Sequence, residues 1–170
     1  MYRRRTQKKT LGREKTMNLK ELRWIKNVNA TEGEWVYKHE EVSYPYLVPE
    51  FHLHWKINSK ENAHKPNPDD LILLCQRTRV THLVKVLDDI VYEDRHFPDF
   101  PFQRRVQVMW MAPKPWDEAP HQNEVFGFDF RFRHGKAINL ENVTALKEYF
   151  GEGELAAFRE CVKEKLALRI

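Results

Sequence analysis

Two histidines, His52 and His54, stand two residues apart in Phe51-His-Leu-His-Trp-Lys-Ile-Asn58. On an extended backbone that spacing puts both imidazoles on one face, where a pair can share a metal ion. A metal site needs a third ligand, and no nearby pattern offers one, so hydrogen-bonded or solvated histidines account for the pair. Two aspartate pairs, Asp69-Asp70 and Asp88-Asp89, are the carboxylates that a Mg²⁺-dependent nuclease would use. No Glu-x-Lys follows on an adjacent strand, and both pairs sit where a strand begins or ends, the place where Asp side chains build turns. Gly127 and Gly135 are isolated, and neither a Gly-rich phosphate loop nor a Gly-x-Ser-x-Gly elbow is present. The chain offers no catalytic signature, no metal site and no cofactor motif. A metal-dependent nuclease built on the Asp pairs and the histidines remains as an alternative.

Aromatic side chains are the strongest compositional feature. Trp35, Trp55, Trp110, Trp116 and the alternating Phe126, Phe128, Phe130 and Phe132 are too many for one sheet face to cover. Rings of this kind can stack on a nucleobase, and a few polar groups can then read its edge. Core packing explains Trp55, Trp110 and the Phe series. Trp116, in a Pro-rich loop after Lys114, is the better pocket wall.

Charge divides the chain. Residues 1–26 hold ten Lys or Arg against Glu14 and Glu21, a net of +8, so the remainder of a chain of net charge +4 carries −4. The arm at 1–16, with Arg3, Arg4 and Arg5, is nearly devoid of apolar side chains and reads as a flexible segment able to neutralise phosphates. Met17 could itself be a start codon, in which case most of that basic charge falls away. In the 170 residues no apolar run approaches the roughly 20 residues that crossing a bilayer needs, and the N-terminus lacks the apolar segment of a secretory signal. A cytoplasmic protein is expected, with one domain over 17–170. Cys75 and Cys161 read as separate reduced thiols.

These side chains must be positioned by a run of strands. Leu19, Leu22 and Ile25 are spaced as a short amphipathic helix, and Asn27 to Gly33 as a turn. Glu34 to Tyr44 reads as a strand, and Pro45 and Pro49 bracket an extended connector. Phe51 to Ile57 alternates as a half-buried strand, Leu71 to Cys75 is an apolar strand covered on both sides, and Val80 to Leu87 alternates again. A hairpin joins the last two through Gln76-Arg-Thr-Arg79. Arg104 to Met111 and Glu124 to Arg133 read as further strands, separated by Pro-rich loops. Helices follow at Val143 to Tyr149, capped by Asn142, and at Glu154 to Leu168. The fold class is α+β: a strongly bent or closed, mostly antiparallel sheet with helices at both ends. Closely spaced strands leave no room for the crossover helices of a parallel α/β fold.

Phe51-His-Leu-His-Trp-Lys-Ile-Asn-Ser59, Lys65-Pro-Asn-Pro-Asp-Asp-Leu-Ile-Leu-Leu74 and Val80-Thr-His-Leu-Val-Lys-Val-Leu87 occur in an order that resembles the EVE branch of the PUA-like superfamily, related to YTH readers. The resemblance spans about residues 51–146, with Asp69 and Thr81 where that family places glycine. It implies a pseudobarrel that holds a flipped, often modified, base of DNA or RNA. Transferred to this chain, the base pocket would comprise Trp55, Lys56, Asn58, Ser59, Gln76, Thr78, His82 and Trp116. Phosphates would lie on Arg77, Arg79, Arg104 and Arg105, joined by Arg3, Arg4 and Arg5 of the arm. The reading is a noncatalytic nucleic-acid-binding module. A protein-interaction domain, docking a partner or a second copy through Phe97 to Phe102 and Pro113 to Pro120, is a further alternative.

Overall fold

A computed structural model describes residues 17–28, 34–42 and 49–170. The basic arm with Arg3, Arg4 and Arg5, most of the Asn27 to Gly33 turn, and the connector before Pro49 lie outside the described residues. Seven strands form a single mixed sheet: β1 (Leu22–Asn27), β2 (Glu50–Trp55), β3 (Leu71–Gln76), β4 (Arg79–Val86), β5 (Tyr92–Glu93), β6 (Phe102–Met111) and β7 (Ala137–Asn139). Their order is β2-β6-β4-β3-β1-β7, with β5 on β6. All pairs are antiparallel except β1 with β3. The sheet curls into a half-barrel, the strongly bent α+β architecture that the strand pattern implies.

Each face of the sheet has its own core. Leu71, Leu73 and Cys75 of β3, with Leu22, Ile25 and Leu83, pack under α2 (Gln122–Phe126), α3 (Thr144–Phe150) and α4 (Glu154–Lys165). Ile72, Leu74, Val84 and Val86 turn the other way, toward Trp24, Phe51, Leu53, Trp55, Phe102 and Val106 inside the curl. The unbroken apolar run of β3 is thereby explained: all six of its residues are buried. Its hairpin to β4 turns through Arg77 and Thr78, both at positive φ (49° and 64°). A two-residue loop needs that hand to match the strand twist, at a cost of about 1 kcal/mol for each non-glycine residue.

Three segments differ from the sequence pattern. Leu19 to Ile25 forms one 3₁₀ turn, Leu19–Glu21, and then β1, because both faces of this stretch are buried and a bulge between Leu22 and Trp24 produces the three-residue apolar spacing. The 34–42 segment is not a strand. Gln76 holds it instead, accepting from Val36 N at 2.9 Å and donating to Val36 O at 2.9 Å, so one side chain replaces a ladder rung. Glu124 to Arg133 begins as α2, which ends at Gly127 (φ 83°), and its phenylalanines cluster with one another rather than pairing across a sheet. A short helix, α1 (Lys60–His64), also lies within the polar interval after β2. No helix among the described residues is long and apolar enough to cross a membrane, and both cysteines are free.

The half-barrel does not close through backbone pairing. At its seam, Asn62 of α1 accepts from Trp55 Nε1 (2.8 Å) on β2 and from Ala137 N (2.8 Å) on β7, and donates to Ala137 O (2.9 Å). Arg104 of β6 fastens the same helix, donating to Ala63 O (2.7 Å), Pro66 O (2.8 Å) and Asp88 O. Removing the Asn62 amide would strand buried polar groups on both edges, each costing about 1–3 kcal/mol. Asn62→Ala is expected to lower unfolding free energy in urea by about 3 kcal/mol, whereas Asn58→Ala, at an exposed position, changes it by less than about 0.5 kcal/mol.

Candidate binding site in the seam of the half-barrel

Between the two unpaired edges lies a cavity of about 410 Å³. Lys26 and Val28 reach it from β1 and its end, Gly135 from the approach to β7, Phe51, His52 and His54 from β2, and Tyr37, Phe97 and Phe100 from the segments laid over the opening. Its surroundings are mainly apolar, so the few polar atoms inside carry the specificity.

Tyr37 organises the far end. Its hydroxyl accepts from His54 N (2.9 Å), a backbone donor of β2, and pairs with His54 Nδ1 at 3.0 Å. Its ring stacks on Phe51 with centroids 4.3 Å apart. Its carbonyl lies 3.0 Å from His82 Nε2, which must donate, since a carbonyl only accepts. His82 Nδ1 is therefore the acceptor for the Thr81 hydroxyl at 2.9 Å, and Thr81 Oγ1 in turn accepts from Gln76 Nε2 at 3.1 Å. If the phenol donates to His54 Nδ1, the bond that gives its proton a partner, His54 carries its own proton on Nε2. That nitrogen is buried and has no hydrogen-bond partner among the described residues. An unpaired buried donor costs free energy, and the residue that carries it lines the cavity.

Lys26 is the second polar group. It is 3 % exposed, its Nζ donates to Gly135 O, and it stands 4.8 Å over the Trp55 ring across the seam. Burial, assisted by the nearby positive charge of Lys56, pulls its pKa down to about 7. Burial likewise lowers His54 to about 4, with His52 adding to the effect, and His82 to about 4. At neutral pH both imidazoles are uncharged and the lysine is poised between its two forms.

The residues singled out in the sequence fall into two groups. Gln76, His82 and Trp116 meet behind Tyr37: Trp116 is 4 % exposed, donates to Ala112 O (2.9 Å) and touches His82 edge-on at 5.1 Å. Thr78 sits exposed in the hairpin turn beside them, and Arg77 lies over the Trp35 ring at 4.8 Å. Trp55, Lys56, Asn58 and Ser59 lie at the opposite end. Trp55 is fully buried, Lys56 extends over Phe100 at 6.0 Å, and Asn58 and Ser59 line a second, polar cleft of about 450 Å³ with Lys60, Lys65 and Lys136. Arg79 donates to Ala119 O (3.0 Å), and Arg105 pairs with Glu50 (3.2 Å) and Asp88 (3.7 Å). Arg104 is fully buried; its two terminal nitrogens donate to the carbonyls already described, and its Nε is buried without a partner among the described residues. Asp70 ties Trp24 Nε1 (2.8 Å), Asn67 N (2.9 Å) and Arg23 (3.3 Å), and Asp88 accepts from Tyr92 (3.0 Å) and Ile90 N (3.1 Å), both as turn-building carboxylates. Among the described residues no three His, Cys, Asp or Glu side chains converge as metal ligands. Sequence reasoning missed Lys26 and Tyr37 as cavity residues, and placed Phe97 and Phe100 only in a loop that would dock a partner. The signal for Lys26 was its place among the apolar residues of Leu22 to Val28, where Arg23 is exposed and Lys26 buried, a difference visible only once that stretch is seen to be a strand.

No family model matches the chain, and no curated protein or solved structure matches it either.

The shifted groups make stability depend on pH in two windows. An unfolded lysine keeps its proton to about pH 10.5, whereas Lys26 releases it near 7, so the unfolded state binds more protons in between and stability rises with pH. Urea midpoints at pH 7, 8 and 9 should show a rise of at most about 1.4 kcal/mol per unit that Lys26→Met abolishes. On the acid side, unfolded histidines gain protons below pH 6.5 that His54 and His82 refuse until about pH 4. Stability should therefore fall from pH 6.5 to 4, and His82→Asn should reduce that slope.

Proposed function

We propose that this chain is a noncatalytic nucleic-acid-binding module that takes one unstacked base into the seam cavity. The observation that carries the reading is a cavity walled by Phe51, Tyr37, Phe97 and Phe100 whose lining includes His54, a residue whose Nε2 is buried and without a partner among the described residues. A flat heteroaromatic ring fits between such walls, and a ring oxygen or nitrogen would accept the hydrogen bond that His54 lacks. Lys26 offers a second donor from the facing strand.

The neighbouring polar cleft supports the same reading. Gly135 lines the cavity and Lys136 the cleft, so the two are adjacent along one chain segment. Exposed Lys60, Lys65 and Lys136 give the cleft the charge that a phosphate backbone entering the cavity would need. The resemblance of Phe51 to Leu87 to EVE domains of the PUA-like superfamily points the same way, since those domains hold a flipped base. In this proposal the base lies against β2, and Gln76, His82 and Trp116 act from behind, by fixing Tyr37.

Fluorescence anisotropy with labelled single-stranded DNA and RNA, modified and unmodified, tests the proposal. It should be run on the full chain and on a form beginning at Met17. Binding should weaken with salt in both. Phe97→Ala, at a half-exposed ring on the cavity rim, should cost about 1–3 kcal/mol. The double change Lys60→Glu with Lys136→Glu should weaken binding to all sequences and flatten the salt dependence by about two phosphate contacts. Tyr149→Ala, on the opposite helical face, should change nothing. Salt-independent or absent binding to every oligonucleotide would reject the proposal.

A further inference from the structure

We infer that Lys26 is a reactive amine that condenses reversibly with a small aromatic aldehyde admitted to the seam cavity. The inference goes beyond the binding of a base and stands without it. Lys26 stands near the end of β1 but is paired on both sides, with Leu74 of β3 and Ala137 of β7, so its backbone is held in a rigid position. The partners of that Nζ are a ring face and a backbone carbonyl, neither of which carries a charge to hold a proton on it. Of the titratable groups around the cavity, Glu41 comes from the 34–42 segment and His52 and His54 from β2, with Tyr37 between them and Lys56 just beyond the strand.

Imine formation needs an unprotonated amine, a carbonyl held beside it and a donor for the carbonyl oxygen. Burial without a countercharge gives the first: it pulls the Lys26 pKa from 10.5 down to about 7, which favours the free amine far more than in an ordinary exposed lysine. The aromatic walls give the second, favouring a flat aldehyde. His54, on β2 and lining the same cavity, supplies the third once its buried Nε2, which has no partner among the described residues, is uncovered. The Nζ lone pair attacks the aldehyde carbon, the C=O π electrons move to oxygen, and the resulting carbinolamine loses that oxygen as water. Both hydrogens of the water come, in net balance, from the amine, leaving a C=N bond that water can hydrolyse back. No oxidant or metal is consumed.

Pyridoxal is a suitable aldehyde probe, with cyanoborohydride added to reduce any C=N bond to a stable secondary amine, followed by peptide mass mapping of the intact protein at pH 7. Lys26 should acquire the adduct at least tenfold faster than any other lysine, Lys26→Arg should lose that adduct alone, and His54→Ala should slow its formation several-fold. An unlabelled Lys26, or one labelled no faster than exposed Lys60 and Lys136, would overturn the inference. Oligonucleotide binding by Lys26→Arg, read by anisotropy, is a separate result, because holding a base requires no imine: a protein that binds oligonucleotides but forms no Lys26 adduct refutes only the amine chemistry.

Discussion

A curled sheet whose two edges approach without pairing leaves backbone and side-chain polar groups that need partners across the seam. The rest of this structure follows from how that seam is handled. At one end Asn62 satisfies both edges with a single amide. At the other, the Tyr37 hydroxyl caps a backbone donor of β2 while its carbonyl holds His82. What remains between these two fastenings is the cavity. It lies where the sheet is open, with the β2 and β7 edges joined through Asn62 on one side and the 34–42 segment laid over β2 and β4 through Tyr37 on the other.

The same geometry sets the chemistry. Groups caught in the seam lose water without gaining a countercharge, which drives histidines and lysine alike toward their neutral forms. The chain from Gln76 through Thr81 and His82 to Tyr37 fixes one imidazole tautomer by bonds that allow no other assignment. The order it imposes on Tyr37 passes to His54. Side chains that do not line the cavity thereby bear on the hydrogen bonding of His54, which does.

Much of the architecture was legible because burial on both faces, or on one, leaves a plain periodicity. Leu71 to Cys75 and Val80 to Leu87 read correctly as a hairpin for that reason, as did the two C-terminal helices. The segments that misled did so through long-range partners. Glu34 to Tyr44 carries strand-forming residues, yet a glutamine forty residues away takes its backbone bonds. Phe126 to Phe132 alternates like a strand, yet its rings find each other and the helices. The cavity itself was only partly visible, because its walls come from β1, β2 and three loops whose convergence no local pattern encodes. His54 could be singled out from its spacing to His52; Lys26 could not, since its stretch mimicked a helix.

The account rests most heavily on the seam cavity as the place where a ligand binds. Titrating isotope-labelled protein with a single-stranded oligonucleotide, while following backbone amides and the His54 side-chain nitrogens by NMR, tests that directly. The account predicts that shifts concentrate at Lys26, Tyr37, Phe51, His54, Phe97 and Phe100 and that His54 Nε2 moves as it gains an acceptor. Shifts confined to the helical face around α3 and α4, with His54 unmoved, would contradict it.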